Sequence, residues 1–186
     1  LEVFAEVAAA FRAQVADGWL RGYVSTAFEC PFAGRVDPEA TVRVASELLK
    51  IGCDEISIGD TIGVAAPVEV KRLTPMLASA VPLARLNYHF HDTRGTAIAN
   101  VAQALDDGVR SFDSSAGGLG GCPYAPGAGG NLATEDLVYF LERSGFATGL
   151  ELPRLAQATL PILERLGRLP ASKAQRAVLA ALPQTQ

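Results

Sequence analysis

Lysine, histidine and cysteine are all scarce in this 186-residue sequence, and each scarcity excludes something. The three lysines are Lys50 and Lys71, on segments of helical pattern, and Lys173 near the C-terminal end. None closes a predicted strand, so the pattern offers no place for a Schiff-base lysine. The three cysteines, Cys30, Cys53 and Cys122, are too few and too scattered for a disulfide framework or a zinc ribbon. That favours a reducing, cytoplasmic compartment. A net charge of −4 argues against a nucleic-acid surface. No apolar run approaches the ~18 residues of a membrane span. There is no Walker loop: Gly118-Leu119-Gly120 begins a G-x-G, but the third glycine is misplaced and no helix opens there. Internal repeats, low-complexity stretches and linkers are absent. The chain opens at Leu1, partway through a helical pattern and without a signal-like segment, so the true N-terminus is expected upstream.

The composition is otherwise that of a soluble globular α/β protein, 49% hydrophobic and 19% charged, read as a single domain. Residues 1–17 carry Val3, Phe4, Val7, Phe11 and Val15 at helical spacing, and Gly18 is a stop. Residues 22–28 suit a strand. Asp37-Pro38-Glu39 opens a helix, with Asp as N-cap and Pro at the first helical position, that runs to Ile51 before Gly52. Strands are predicted over 54–59, 84–91 and 110–115, and helices over 67–80 and 96–107. Thr134 should cap a helix reaching about Ser144, and further helices fall at 153–167 and 172–182. The strand–helix units and the glycine segment occupy 1–133, and C-terminal helices occupy 134–186. Such alternation argues for a parallel sheet. Arg85, Asn87, His89 and His91 share one face of their strand, and Leu86, Tyr88 and Phe90 the other. Ser111, Asp113 and Ser115 likewise oppose Phe112. Four βα units amount to half of a (β/α)8 TIM barrel, which typically needs ~250 residues. The alternative is a small open α/β sheet.

His89 and His91 are the only histidines. At i and i+2 on a strand both imidazoles point the same way, at the end where barrel chemistry sits. They are either a shared ligand pair for one ion or hydrogen-bonded interior histidines. Asn131 returns to the same mouth after the next strand and is the candidate third ligand. Two imidazoles and an amide oxygen suit a borderline-to-hard divalent ion. Such a neutral set calls for a carboxylate; Asp60, Asp92 or an acid outside this chain could supply it. Asp60 ends a strand in Gly59-Asp60-Thr61-Ile62-Gly63 and reads as a site acid or as a turn cap. Cys122 sits within Gly117-Gly118-Leu119-Gly120-Gly121-Cys122-Pro123-Tyr124-Ala125-Pro126-Gly127, where glycine lets the main chain approach a ligand. An ordinary thiol, pKa ~8.5, is mostly protonated at neutral pH and can donate a proton to a carbanion or enolate.

That glycine–cysteine segment, together with Arg21-Gly22-Tyr23-Val24-Ser25, Cys30-Pro31-Phe32, Gly59-Asp60-Thr61-Ile62-Gly63 and His89-Phe90-His91-Asp92-Thr93, resembles the 3-hydroxy-3-methylglutaryl-CoA lyase family. The resemblance runs over nearly the whole chain. It implies a TIM barrel and a divalent-metal carbon–carbon lyase of leucine degradation and ketone-body metabolism. The reaction implied is retro-Claisen cleavage of the acyl-CoA to acetyl-CoA and acetoacetate. It implies that His89, His91 and Asn131 bind Mg2+ or Mn2+, that Cys122, Asp60 and His89 are catalytic, and that Tyr23 and Thr61 adjoin the substrate. A cytoplasmic location, or the mitochondrial matrix in a eukaryote, and a homodimer are the expected setting. The sequence departs from the family pattern at Gly129 and Asn87-Tyr88, and it lacks the Arg-Asp pair of the family's first strand. The alternatives are an inactive half-barrel module, or a related metal-dependent acyl-CoA condensing enzyme or aldolase.

Overall fold

The computed structural model describes residues 1–121 and 130–182. Four strands form one parallel sheet: β1 (Arg21–Val24), β4 (Glu55–Asp60), β5 (Leu86–Phe90) and β6 (Ser111–Asp113), in the order β1-β4-β5-β6. Helices α2 (Pro38–Ile51), α3 (Pro67–Ala78) and α4 (Ala97–Asp106) make the connections. Helix α1 (Glu2–Gln14) precedes the sheet, and α5 (Thr134–Arg143), α6 (Leu152–Ala158), α7 (Leu160–Arg165) and α8 (Lys173–Ala181) follow it. The strand–helix alternation read from the sequence is therefore observed.

The two sheet faces differ as the strand pattern requires. Ile56, Ile58, Leu86, Tyr88 and Phe90 are buried among helix residues such as Leu48, Leu73 and Val101. Tyr88 stacks on Phe90 with ring centres 4.8 Å apart, and its hydroxyl lies 2.9 Å from the Thr74 hydroxyl. The opposite face carries Ser57, Asn87, Ser111 and Asp113, joined by hydrogen bonds. Asn87, a departure from the family pattern, is fully buried in this network: its Oδ1 accepts from Ser57 and its Nδ2 donates to Ser111.

Helix punctuation explains several boundaries. Asp37 accepts from the Glu39 amide at 3.1 Å, Pro38 starts α2, and Gly52 ends it at φ +103°. Ser172 caps α8 by accepting from Gln175.

Three readings need correction, and one helix that forms as expected leaves its apolar face uncovered. The first strand stops at Val24, because the chain turns at Thr26 (φ +53°) and then forms a hairpin, β2 (Glu29–Cys30) with β3 (Gly34–Arg35). The helix at 153–167 is two helices. They break at Thr159 because Pro161 has no N–H to donate back and its ring crowds the carbonyl four residues earlier. Thr134 is the first residue of α5 and not its cap; its hydroxyl pairs with Ser114 instead. The apolar stripe of α1 is largely exposed: Phe4 is 61% exposed, and Ala8 is the buried residue of that helix.

Candidate active site

The site grows from the polar ends of β5 and β6. Residues two apart on a strand face the same side, and the Nε2 atoms of His89 and His91 stand 3.2 Å apart. Two nitrogens each about 2.1 Å from one ion, at an angle near 100°, would stand about 3.2 Å apart. The pair thus has the bite of a chelate. His91 is buried, and its Nδ1 has no hydrogen-bond partner. Burial and the neighbouring His89 push its pKa down to about 4, so the ring stays neutral and able to ligate.

Asn131 is brought to this pair by the backbone. It forms an isolated antiparallel bridge with His91, while the Asp92 amide donates to Gly130 and the Leu132 amide to Phe90. The Asn131 amide nitrogen donates to the Leu119 carbonyl at 2.9 Å, which fixes the orientation of the group. The approach depends on glycine. A Cβ at Gly130 would lie 1.9 Å from the Gly118 carbonyl oxygen, and one at Gly120 would lie 2.6 Å from the Asn131 amide nitrogen. Gly120 also sits at φ +98°.

The acid beside the histidines is Asp113. Its Oδ2 is 3.2 Å from His89 Nδ1 and accepts from the Tyr23 hydroxyl at 3.2 Å; its Oδ1 is 2.6 Å from Arg21. Burial alone would raise this carboxyl, but the His89 hydrogen bond and the Arg21 charge hold it below the ordinary aspartate range. Burial would lower the Arg21 pKa, but Tyr23, Asp113 and Glu55 together raise it. Tyr23 meets the His89 ring edge-on at 6.3 Å and is half exposed, so it stands at the open side of the site.

Asp60 and Asp92, the acids read from sequence at this mouth, accept from backbone amides. Asp60 shares the sheet side of Ile56 and Ile58 and is buried. Its two oxygens accept from the Val64 and Ala65 amides at 2.9 and 3.1 Å, the turn-capping role. Burial raises its pKa against those hydrogen bonds. Asp92 accepts from the Ala97 amide and so holds the start of α4. Thr61 accepts from the Thr26 amide at 2.8 Å, fastening two βα loops together. Arg94 donates to the Ile62 and Gly63 carbonyls and braces the same loop. Cys122 lies outside the described residues.

Asp113 lies on the face that its strand pattern assigns it, while Arg21 and Glu55 carry no mark of the site within their own strands. The available signal for Asp113 was its register. His89 and Asp113 are direct partners across β5 and β6.

Among the described residues no group of three or more His, Cys, Asp or Glu is placed to hold a metal. The donor set on this mouth is two imidazoles with an adjacent amide, and that set fits a divalent ion.

A parallel half-barrel with its polar cluster at the C-terminal strand ends is the layout of a TIM-barrel protein, of which this chain covers about half. The chain belongs to the HMGL-like family, whose model matches residues 2–161. It is 53% identical over 161 residues to the hydroxymethylglutaryl-CoA lyase of Pseudomonas mevalonii, covering 87% of this chain and 54% of that protein. The crystal structure of the Pseudomonas aeruginosa hydroxymethylglutaryl-CoA lyase superposes with a TM-score of 0.92 at 45% identity, covering 97% of this chain and 60% of that one. An HMG-CoA lyase from Acinetobacter baumannii, in complex with coenzyme A and 3-methylmalate, gives 0.88 at 36% identity, covering 98% and 59%. The chain thus spans about half the length of the curated relatives it matches. No helix among the described residues is long and apolar enough to cross a membrane.

Proposed function

We propose that this chain supplies the C-terminal part of a lyase that cleaves 3-hydroxy-3-methylglutaryl-CoA to acetyl-CoA and acetoacetate. The observation that carries the reading is the 3.2 Å approach of the two histidine Nε2 atoms beside Asn131, in a chain 53% identical to a lyase of that name. His89, His91 and Asn131 would hold Mg2+ or Mn2+. When bound, the ion supplies Lewis-acid polarisation of the substrate's oxygens.

The chain's own groups do the rest. Tyr23, half exposed beside His89, borders the substrate. Asp60 is the candidate active-site acid at the end of its strand, and its two oxygens, which accept from the Val64 and Ala65 amides, also hold the loop that carries Thr61. A general base takes the C3 hydroxyl proton and the C2–C3 bond breaks; the C3 oxygen becomes the ketone of acetoacetate, and the bond's electron pair passes to a thioester enolate. The Cys122 thiol gives its proton to C2 of that enolate, completing acetyl-CoA. The coenzyme A in the Acinetobacter relative's structure supports an acyl-CoA as the substrate class.

The test joins this chain to the N-terminal part of the Pseudomonas mevalonii relative and follows acetoacetate release with Mg2+. The chimera should turn over. His89→Ala should abolish turnover, and Cys122→Ser should lower kcat at least 100-fold with little change in metal affinity. A folded chimera that binds Mg2+ and leaves the acyl-CoA intact would overturn the reading. Near-normal kcat in the Cys122→Ser chimera would reduce that residue to packing.

A further inference from the structure

The inner sheet face carries a chain of charged contacts longer than any ligand set requires. Ser111 donates to Glu55 at 2.9 Å. Glu55 forms an ion pair with Arg21 Nε. The Nη1 of Arg21 reaches Asp113 at 2.6 Å, and the other oxygen of Asp113 meets His89 Nδ1 at 3.2 Å. Each of the three charged side chains is less than a quarter exposed. The run spans the sheet from β1 and β4 at one end to β5 and β6 at the other.

We propose that Asp113 and Arg21 are positioning residues for His89: Asp113 fixes the ring's proton on Nδ1, and Arg21 fixes Asp113. The inference rests on the metal reading above and assigns a role to residues outside the ligand set.

The chemistry follows from the partners. An ionised carboxylate only accepts, so the His89 nitrogen facing Asp113 must carry the proton. That leaves Nε2 with its lone pair towards His91, as a ligand requires. In the metal-free protein the 3.2 Å Nε2–Nε2 contact then needs its proton from His91. Arg21 keeps Asp113 in one place by binding the oxygen that His89 does not use. Glu55 holds Arg21 in turn. One cation between two carboxylates leaves one net negative charge beside a neutral donor set, which offsets part of a dication's charge.

The experiment uses the chimera with the Pseudomonas mevalonii N-terminal part, carrying 15N-labelled histidine, together with Mn2+ titrations read by electron paramagnetic resonance. Without metal, His89 should carry its proton on Nδ1 and His91 on Nε2. Asp113→Asn should disturb the His89 tautomer and weaken Mn2+ binding by about 10- to 100-fold. Arg21→Gln should weaken it less, and the double variant should be no worse than Asp113→Asn alone, as for residues acting through one path. Arg21→Lys, which keeps the charge, should recover part of the loss and serves also if Arg21→Gln does not fold. A wild-type His89 protonated on Nε2 would overturn the proposal. So would Mn2+ affinity within twofold of wild type in Asp113→Asn. Additive losses in the double variant would remove Arg21 from the path. A wild-type chimera that binds no Mn2+ would instead sink the metal reading, and the tautomer measurement would still decide the role of Asp113.

Discussion

Glu135 accepts the backbone N–H of Gly117 with both carboxylate oxygens, at 2.9 and 3.0 Å, and is fully buried. Thr159 donates to the same carboxylate, and Gln175 donates to Thr159. One acid at the start of α5 therefore ties the root of the glycine-rich segment to α8 and to the junction of α6 and α7. The Gly118 carbonyl in that root packs against Gly130, next to Asn131. Glu135→Ala strands the buried Gly117 amide and takes one acceptor from the Thr159 hydroxyl, which keeps its bond to the Ala156 carbonyl. It should destabilise the chain by about 2–4 kcal/mol, since bonds to charged groups are strong and orphaned partners costly. Glu135→Gln, which keeps an acceptor, should lose less. Urea unfolding followed by circular dichroism checks both; a loss under 0.5 kcal/mol in the alanine variant would show that water replaces the carboxylate.

His89→Ala and His91→Ala should each abolish detectable Mn2+ binding, because neither imidazole alone forms a chelate. Asn131→Ala should weaken binding while leaving the two-histidine bite in place. Thermal unfolding of the same variants separates ligand loss from misfolding. Equal Mn2+ affinity in wild type and His91→Ala would return the pair to the hydrogen-bonded interior histidines that the sequence also allowed.

The face pattern of β5 was legible because it needs only a period of two; the same is true of the caps Asp37-Pro38 and Gly52, which are local chemistry. The Asp113–His89 contact was not, because it depends on the register between β5 and β6 and no single strand's pattern encodes register. The paired role of Arg21 needs three strands at once. Asp60 is two-sided for a related reason: an acid at a strand end is a site residue or a cap according to which way it turns, and here its oxygens accept from the Val64 and Ala65 amides while its register partner is Phe90, between the two histidines. The β2–β3 hairpin escaped because two-residue strands carry no periodicity. The break at Pro161 is local chemistry too, since proline has no N–H to give the helix.

Tyr88 gives a pH prediction with a defined sign. Burial holds its hydroxyl protonated well above the ordinary tyrosine value, and the Thr74 hydrogen bond offsets this only partly. The folded pKa is thus above the unfolded one. The resulting stability is fully present below pH ~10 and falls as pH rises beyond it, where the unfolded chain gives up its proton first. In an alkaline titration read at the phenolate band, Tyr88 should ionise only together with unfolding. Tyr88→Phe should flatten the decline in stability above pH 10. If the band reaches full amplitude while the near-ultraviolet dichroism stays native, the hydroxyl is accessible and the prediction fails.

The isolated 186-residue chain should be a poor lyase and should self-associate. Among the described residues β1 and β6 each have a single strand neighbour, so the sheet has two open edges, and open edges pair with other chains. The donors at the mouth are neutral, and a hard dication is held poorly without a carboxylate in its first shell. The relatives that bear the lyase name are about twice as long as the matched segment. Losing one electrostatic donor at a reacting oxygen can lower the rate by about 10²–10³. Turnover of 3-hydroxy-3-methylglutaryl-CoA with Mg2+ should therefore fall at least 100-fold below that of the chimera with the Pseudomonas mevalonii N-terminal part. Sedimentation should give a dimer or larger species for the chain alone. A monomer turning over at the chimera's rate would show that residues here suffice. Arg21 with Asp113 would then be the pair to test first, since Asp92 and Arg94 are already committed to loop backbone.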